Sequence, residues 1–502
     1  MVAIGQQLVR NILSSWGGYL IRLIITFFFV PYIASVFGDA RYGVWVIIFQ
    51  TINYFSLLDI GLTSALTRYI SRHLSERDYD KINRILSTSN LLYFVVGSIV
   101  FGGIYLFVTF FFGYFKIGDP ALITEGKNAL LILGAFMAFN FYLLPFGNSL
   151  AGFQRHDITR VLAIIEEIVR VLIMVWLLKL GYGLVALALV ILSVSVAKHI
   201  AGVIWLRKLH PQVRFLLGKS DAATVKMLLG YSRVSFGITI GWLIMFNTDT
   251  FLLGILSSSV AAGVYNPGAQ LMLYLRNIIN SIGTPLMPAI SHIEASGDIE
   301  KVSDVYLRGI KYISYLSFLL GVGVVVFARP FVNLWLPPEF AEAADVMMIL
   351  AFGTSVFLPQ IIGNSVLFGI GQHRYILYTL IAESAVKIIL SIILIPRYNL
   401  IGMALANAVP QVVFYLTLYP YFMSVALRLP LGQILRTFAV SASLAVVVAA
   451  PVSLILRTYV IPASWISLAF DVIAVALVAS VPAYFILEPD DRRKFVAFFK
   501  RH

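Results

Sequence analysis

Residues 85–113 read ILSTSNLLYFVVGSIVFGGIYLFVTFFFG. The stretch carries no charge and no strict alternation of polar and apolar positions. Apolar side chains lie all round a helix drawn through it, whereas a barrel strand would alternate. About 20 mostly apolar residues, at about 1.5 Å each, cross the hydrocarbon core of a bilayer. The stretch therefore predicts a transmembrane helix. Runs of the same kind follow one another along the chain, separated by short polar interruptions. They predict fourteen spans, at residues 12–37, 43–65, 85–113, 127–151, 158–179, 184–206, 229–256, 262–288, 309–328, 343–369, 375–395, 400–424, 436–456 and 464–486.

Composition agrees. Of 502 residues, 60% are hydrophobic and 12% charged, against roughly 25% charged in soluble domains. A water-soluble fold is excluded. Cysteine is absent, which removes disulfides, thiolate metal sites and a Cys nucleophile. Met1–Arg10 is polar and the apolar run after it has full span length, so the first span is expected to be retained rather than cleaved as a signal. No cofactor, metal site or catalytic residue is expected.

The net charge of +13 could suggest a nucleic-acid partner, but its distribution points to topology instead. Lys and Arg concentrate in cytoplasmic loops. With the N-terminus inside, inside segments hold 24 of the 37 cations, outside segments 7, and spans the remaining 6. The alternation is regular. It predicts cytoplasmic N- and C-termini, contact with anionic membrane lipids and no nucleic acid. Residues 488–502 mix Phe495, Val496, Phe498 and Phe499 with basic residues, as in a short interfacial helix.

Sliding the chain by 220 positions aligns residues 15–82 with 235–302 without a gap, with 13 identities in 68 positions. They include Gly43/Gly263, Gln50/Gln270, Ser71/Ser291, Asp78/Asp298 and Lys81/Lys301. Apolar composition does not readily produce the polar matches. The offset spans six helices and both copies start on the same side, so the repeats are parallel, and a site near the midplane between the halves is expected. The organisation read from this is a six-helix lobe at 1–208, a basic linker at 209–228, a second six-helix lobe at 229–425, two further helices within 426–487 and an amphipathic tail at 488–502. The fold class is thus all-α integral membrane, with two pseudo-symmetric lobes around a central cavity and two C-terminal helices.

Three phrases carry a resemblance. Phe37-Gly38-Asp39-Ala40-Arg41-Tyr42-Gly43-Val44-Trp45 joins the first two spans. Asp59-Ile60-Gly61-Leu62, then Leu66-Thr67-Arg68-Tyr69-Ile70-Ser71, closes the second. Asp249-Thr250-Phe251-Leu252-Leu253-Gly254, then Gly263-Val264-Tyr265, joins the seventh and eighth. In order and spacing, over residues 10–425, they resemble the polysaccharide-transporter branch of the multidrug/oligosaccharidyl-lipid/polysaccharide exporter superfamily. The resemblance implies a flippase for undecaprenyl-diphosphate-linked oligosaccharide, serving O-antigen or exopolysaccharide export by proton- or sodium-coupled alternating access. Fourteen spans also resemble the lipid II flippase branch. The chain is expected to act as a monomer.

Ionisable groups inside a span are costly and usually face a partner or a cavity. The deep cations are Arg22, Arg170, Lys198, Arg276 and Lys387, and the acids are Asp59, Glu166, Glu167, Asp249, Glu383 and Asp471. Arg22 and Arg276 come from opposite lobes, and a guanidinium fork suits phosphate oxygens. They are the candidate diphosphate ligands. The opposing reading is a packing ion pair, such as Arg22 with Asp59. Glu166/Arg170 and Glu383/Lys387 stand four residues apart and can neutralise each other on one helix face. Alternatively Arg170 and Lys387 extend a cationic cavity wall. Lys198 is expected to snorkel, and Asp471 to be structural. Asp249, Asp59 and Glu383 are candidates for binding a coupling ion. Pro31, Pro145, Pro267, Pro285, Pro288 and Pro359 lie in or beside spans and permit kinks.

Two rival functions fit less well. A drug/cation antiporter of the same superfamily would favour an acid-lined cavity, whereas the deep charges here are balanced or cationic. A membrane enzyme needs catalytic groups on sizeable loops, and no HExxH, GxSxG or Walker pattern stands where chemistry could use it. No enzymatic activity is expected.

Overall fold

Inside hydrocarbon no water is present to bond the backbone, and a helix pairs its N–H and C=O groups within one segment. The computed structural model of the chain is built in this way, with no strand among the described residues. It describes residues 2–502 except 60–61, 154, 214–219, 284–285, 460–463, 489–491 and 493–502. Side chains are described for the same residues apart from 2–22, 57, 64, 75, 148, 156, 229–240, 288, 459, 483, 485 and 486.

The chain packs as two units, Met1–Gly263 and Val264–His502. The first contains α1 (Val2–Ser56), α2 (Leu62–Ser75), α3 (Tyr79–Leu106), α4 (Pro120–Gly152), α5 (His156–Lys179), α6 (Leu184–Leu209), α7 (Ala222–Asn247) and α8 (Asp249–Leu256). It ends just inside α9 (Ser259–Gly283). The second continues with α10 (Leu286–Ala295), α11 (Ile299–Trp335), α12 (Ala343–Phe357), α13 (Gln360–Gly369), α14 (Arg374–Leu416), α15 (Leu418–Leu427), α16 (Leu431–Tyr459) and α17 (Trp465–Ile486). In the first unit α4 packs on α3 and α6, and α5 on α6. Packing also groups α7 with α2 and α3, and α8 with α1, although the second sequence copy begins at residue 235. In the second unit α11 packs on α12, α16 and α17. Val326, Phe327, Ala449, Leu468 and Val475 form an apolar seam that attaches the last two helices.

Nine helical stretches among the described residues are long and apolar enough to cross a membrane. The protein is a multi-pass membrane protein. Two of the nine each hold two of the expected spans. Helix α1 breaks at Gly38, where φ is 68°, a backbone conformation that glycine adopts without steric cost. Helix α14 breaks at Asn399, where φ is 52°. There the chain doubles back so tightly that a Cβ on Gly402 would lie 2.2 Å from the Leu394 carbonyl oxygen. Both breaks fall where the apolar runs are interrupted. Helix α5 is also an expected span, although Glu166, Glu167 and Arg170 raise its charge. Of the prolines, Pro31, Pro145 and Pro267 lie inside α1, α4 and α9. Pro359 separates α12 from α13, Pro285 falls outside the described residues, and the side chain of Pro288 is also outside them.

The internal repeat reappears as repeated bonds within each unit. Ser71 Oγ donates to the Gly152 carbonyl at 2.7 Å, and Ser291 Oγ to the Gly369 carbonyl at 3.0 Å. Asp78 caps α3 by accepting from Lys81 N at 3.0 Å, and Asp298 caps α11 from Lys301 N at the same distance. Such caps bond otherwise orphaned helix N–H groups. Arg77 and Gly297, one residue before each cap, both have positive φ, at 53° and 78°. The Asp78 carboxyl is held below the ordinary carboxylate range, chiefly by the hydrogen bond from the Lys81 side chain. The two polar identities Ser71/Ser291 and Asp78/Asp298 thus mark the same two contacts in both copies.

A second repeat pair meets within the first unit. A Cβ on Gly43 would lie 1.8 Å from the Ser259 carbonyl oxygen, and one on Gly263 would lie 3.0 Å from Gly43 Cα. The backbone of the turn after α8 is also held by the loop after α3. Lys116 N donates to Gly254 O at 2.9 Å, Lys116 Nζ to Leu256 O at 2.9 Å, and Ser259 N to Lys116 O at 3.2 Å. Backbone contact at this seam leaves no room for a methyl group. Gly43→Ala is expected to lower stability by about 1–3 kcal/mol, the usual cost of overpacking. Gly102→Ala, which meets nothing within 4 Å, should be neutral or slightly stabilising. Thermal unfolding of both variants in one detergent checks this, and equal melting temperatures would refute the seam.

Candidate functional site

Charges buried in a low-dielectric span need partners, and the first unit supplies them between α5 and α6. Glu166 and Glu167 flank Arg170 one turn below it on α5. Arg170 NH1 lies 3.8 Å from Glu166, and Arg170 NH2 pairs closely with Glu167. Lys198 on α6 reaches Glu166 at 2.8 Å, and Ser195 hydrogen-bonds the same carboxylate. Lys198 is therefore tied to a neighbouring helix instead of snorkelling. Two acids balance two bases, so Arg170 contributes no net positive wall. One residue along α6, His199 is buried and its Nε2 lies 2.5 Å from Asn140 Oδ1 of α4. Gly147 of α4 faces the same ring, where a Cβ would lie 2.8 Å from Nδ1.

Asp59 ends a short turn, Leu57–Asp59, between α1 and α2. Its Oδ1 accepts from Thr63 Oγ1 at 3.1 Å and from the fully buried Tyr93 hydroxyl. Arg22 lies on α1, with its side chain outside the described residues. Asp249 opens α8 and is 5% exposed. Beside it, Thr248 Oγ1 accepts from Tyr54 at 2.8 Å and donates to Ile244 O at 2.6 Å.

The second unit brings three of the anticipated residues together. Glu383 and Lys387 lie one turn apart on α14, each 1% exposed. Tyr415, on the same element beyond the Asn399 break, hydrogen-bonds Glu383 and neighbours the partly buried Arg276 of α9. Glu383 Oε2 has no hydrogen-bond partner. Around this centre, Tyr419 Oη lies 2.8 Å from Asn364 Oδ1 and 3.2 Å from Gln360 O. Gln411 Nε2 donates to Asn407 Oδ1 at 3.1 Å. The centre thus gathers two bases and one acid among the described residues. Charge counting alone misses the tyrosines and amides. The spacing of Gln360/Asn364 and Asn407/Gln411, four residues apart in apolar runs, was the available signal.

Asp471 of α17 stands apart from these groups. It is fully buried, and neither carboxylate oxygen has a hydrogen-bond partner. Among the described residues no group of three or more His, Cys, Asp or Glu side chains is arranged to hold a metal ion.

Comparison with known proteins places these elements in context. Residues 8–294 match the family model described as polysaccharide biosynthesis protein. An uncharacterized membrane protein of Methanocaldococcus jannaschii is 24% identical, over 72% of this chain and 73% of its own length. A Shigella flexneri protein provisionally named an O-antigen transporter is 21% identical, over 80% of this chain and 94% of its own. Among solved structures, the lipid II flippase MurJ in an inward closed conformation superposes with a TM-score of 0.74, covering 94% of this chain and 97% of that one at 14% identity. At that identity the likeness is one of fold.

The α5–α6 pairing has a measurable signature. Breaking a buried pair strands a charge, and partial exposure of these groups, 11% for Glu166 and 27% for Lys198, moderates the cost to about 1–3 kcal/mol. Glu166→Leu and Lys198→Met should each destabilise by that amount. The double variant should lose less than the sum of the two. Additive losses in thermal unfolding would show that the residues do not interact.

Proposed function

We propose that this chain, which belongs to the polysaccharide biosynthesis protein family, is a flippase for undecaprenyl-diphosphate-linked oligosaccharide in a bacterial cytoplasmic membrane. It transports and does not catalyse. The observation that carries this reading is the gathering of two cations, Arg276 and Lys387, near Glu383 and Tyr415 in the second unit. A diphosphate crossing a low-dielectric layer needs fixed positive charge, and guanidinium supplies it with a donor fork that does not deprotonate. The similarity to an O-antigen transporter and the fold of a lipid II flippase support a lipid-linked glycan as cargo. Lipid II itself is the second reading, favoured by that fold. A drug or cation antiporter is disfavoured by these two cations.

Arg276 holds the diphosphate in this reading and Lys387 adds charge behind it. Arg22 is a second diphosphate ligand. Glu383 is the coupling group favoured by its surroundings, since its carboxylate is bonded by Tyr415 on one side and keeps an unpartnered oxygen. Coupling to a proton or sodium gradient then drives alternating access. The 24 cations on one side against 7 on the other support a cytoplasmic position for both termini.

These assignments separate experimentally. Arg276→Ala and Arg22→Ala should each weaken binding of lipid-linked oligosaccharide by roughly ten- to a hundredfold, the loss of one charge-assisted contact of about 1.5–3 kcal/mol. The Lys variants should retain part of the activity. Flipping in proteoliposomes, at matched protein content, measures both. Normal flipping by Arg276→Ala would remove the diphosphate from this centre. Glu383→Gln should bind substrate normally yet lose its response to an imposed gradient, and an unchanged response would clear Glu383 of coupling. A fluorescent reporter active only in the cytoplasm, fused after His502, should be bright. A dark fusion would require an odd number of spans.

A further inference from the structure

The paired network of α5 and α6 is too neutral to hold a diphosphate and too polar to be spent on lipid. On α5, Val161, Ile165, Ile168, Val169, Leu172 and Trp176 are all well exposed. At about 100° per residue they form one stripe, the lipid face. Glu166, Arg170 and Glu167 project from the opposite side of the helix. They nevertheless keep 11%, 21% and 19% of their side-chain surface exposed, and Lys198 keeps 27%. Ionised groups that are exposed inside a span and turned from lipid open onto water or a polar ligand.

We infer that Glu166, Glu167, Arg170 and Lys198 form a recognition surface for the sugar hydroxyls of the transported glycan. The inference rests on the flippase reading and specifies which part of the substrate this unit reads. The groups are held in place by one another and by Ser195, so their remaining donors and acceptors are preorganised. Arg170 still has guanidinium N–H groups beyond those turned to the two acids, and the carboxylates have further lone pairs. Such an array offers donors and acceptors side by side with no net charge. That is the complement of a neutral polyol, whose hydroxyls donate and accept, and it gives a phosphate no net attraction.

The test compares two probes on the full-length protein in nanodiscs: bare undecaprenyl diphosphate, and the lipid-linked oligosaccharide fraction extracted from cells that make the protein. Wild type should prefer the glycan-bearing lipid by about tenfold or more, the worth of one or two charged hydrogen bonds. The charge-swapped variant, Glu166→Lys with Lys198→Glu, keeps an ion pair between the helices but reverses its donors and acceptors. It should bind bare undecaprenyl diphosphate as wild type does and lose the preference, and Glu167→Gln should reduce it. Retained preference in the swapped variant would overturn the inference and leave the network a packing device. Equal loss of both probes would overturn it too, because the effect would not be on the sugar. If wild type binds both probes equally, only this inference fails. If it binds neither, the flippase reading fails first.

Discussion

Everything in this fold answers to one constraint: inside hydrocarbon, a backbone amide or a charge without a partner is expensive. The backbone part of the constraint dictates helices, and it leaves breaks only where the chain can turn. Gly38 and Asn399 take positive φ at such places. The side-chain part dictates the company kept by the deep charges. Arg170 sits between two glutamates, Lys198 crosses to Glu166, and Asp59 takes two hydroxyl donors. The same rule gathers Arg276, Lys387 and Glu383 around Tyr415, where charges of both signs and a hydroxyl answer one another.

The helical architecture was legible because apolar runs and their interruptions are long-range signals that no local propensity overrides. Even α5, with Glu166, Glu167 and Arg170 near its middle, was readable as a span, since Glu166 and Arg170 at helical spacing announce their own neutralisation. The candidate centre was legible in part. Glu383 and Lys387 were visible as a pair, and Arg276 as a lone cation. Their meeting around Tyr415 was not, because Tyr415 lies beyond a turn at Asn399 and proximity across a turn leaves no periodic trace. Lys198 shows the opposite failure. Its position near a helix end suggested a side chain reaching for the interface, but a carboxylate on the adjacent helix was closer and bound it.

The repeat was legible from polar identities, and the structure gives them a cause. Ser71 and Ser291 close on helix-end carbonyls, and Asp78 and Asp298 cap the next helix. These contacts depend on hydroxyl and carboxylate geometry, which substitution by another polar residue does not preserve. Apolar positions between them could drift, since any side chain of similar volume fills a helix interface. Arg77 and Gly297 mark the remaining latitude: the two copies share a left-handed backbone and differ in whether the residue is suited to it.

The contact of Gly43 with Gly263 has a further consequence. Each is the other's counterpart under the 220-residue offset, so the seam between them has the character of an isologous contact, the kind made on the two-fold axis of a homodimer. In an ancestor with two identical copies, one substitution would have appeared on both sides of that contact at once. A side chain there meets its own image, and its bulk counts double. Glycine is the residue for which that doubling is harmless. At this seam the two glycines meet as like with like, and neither side leaves room for a side chain.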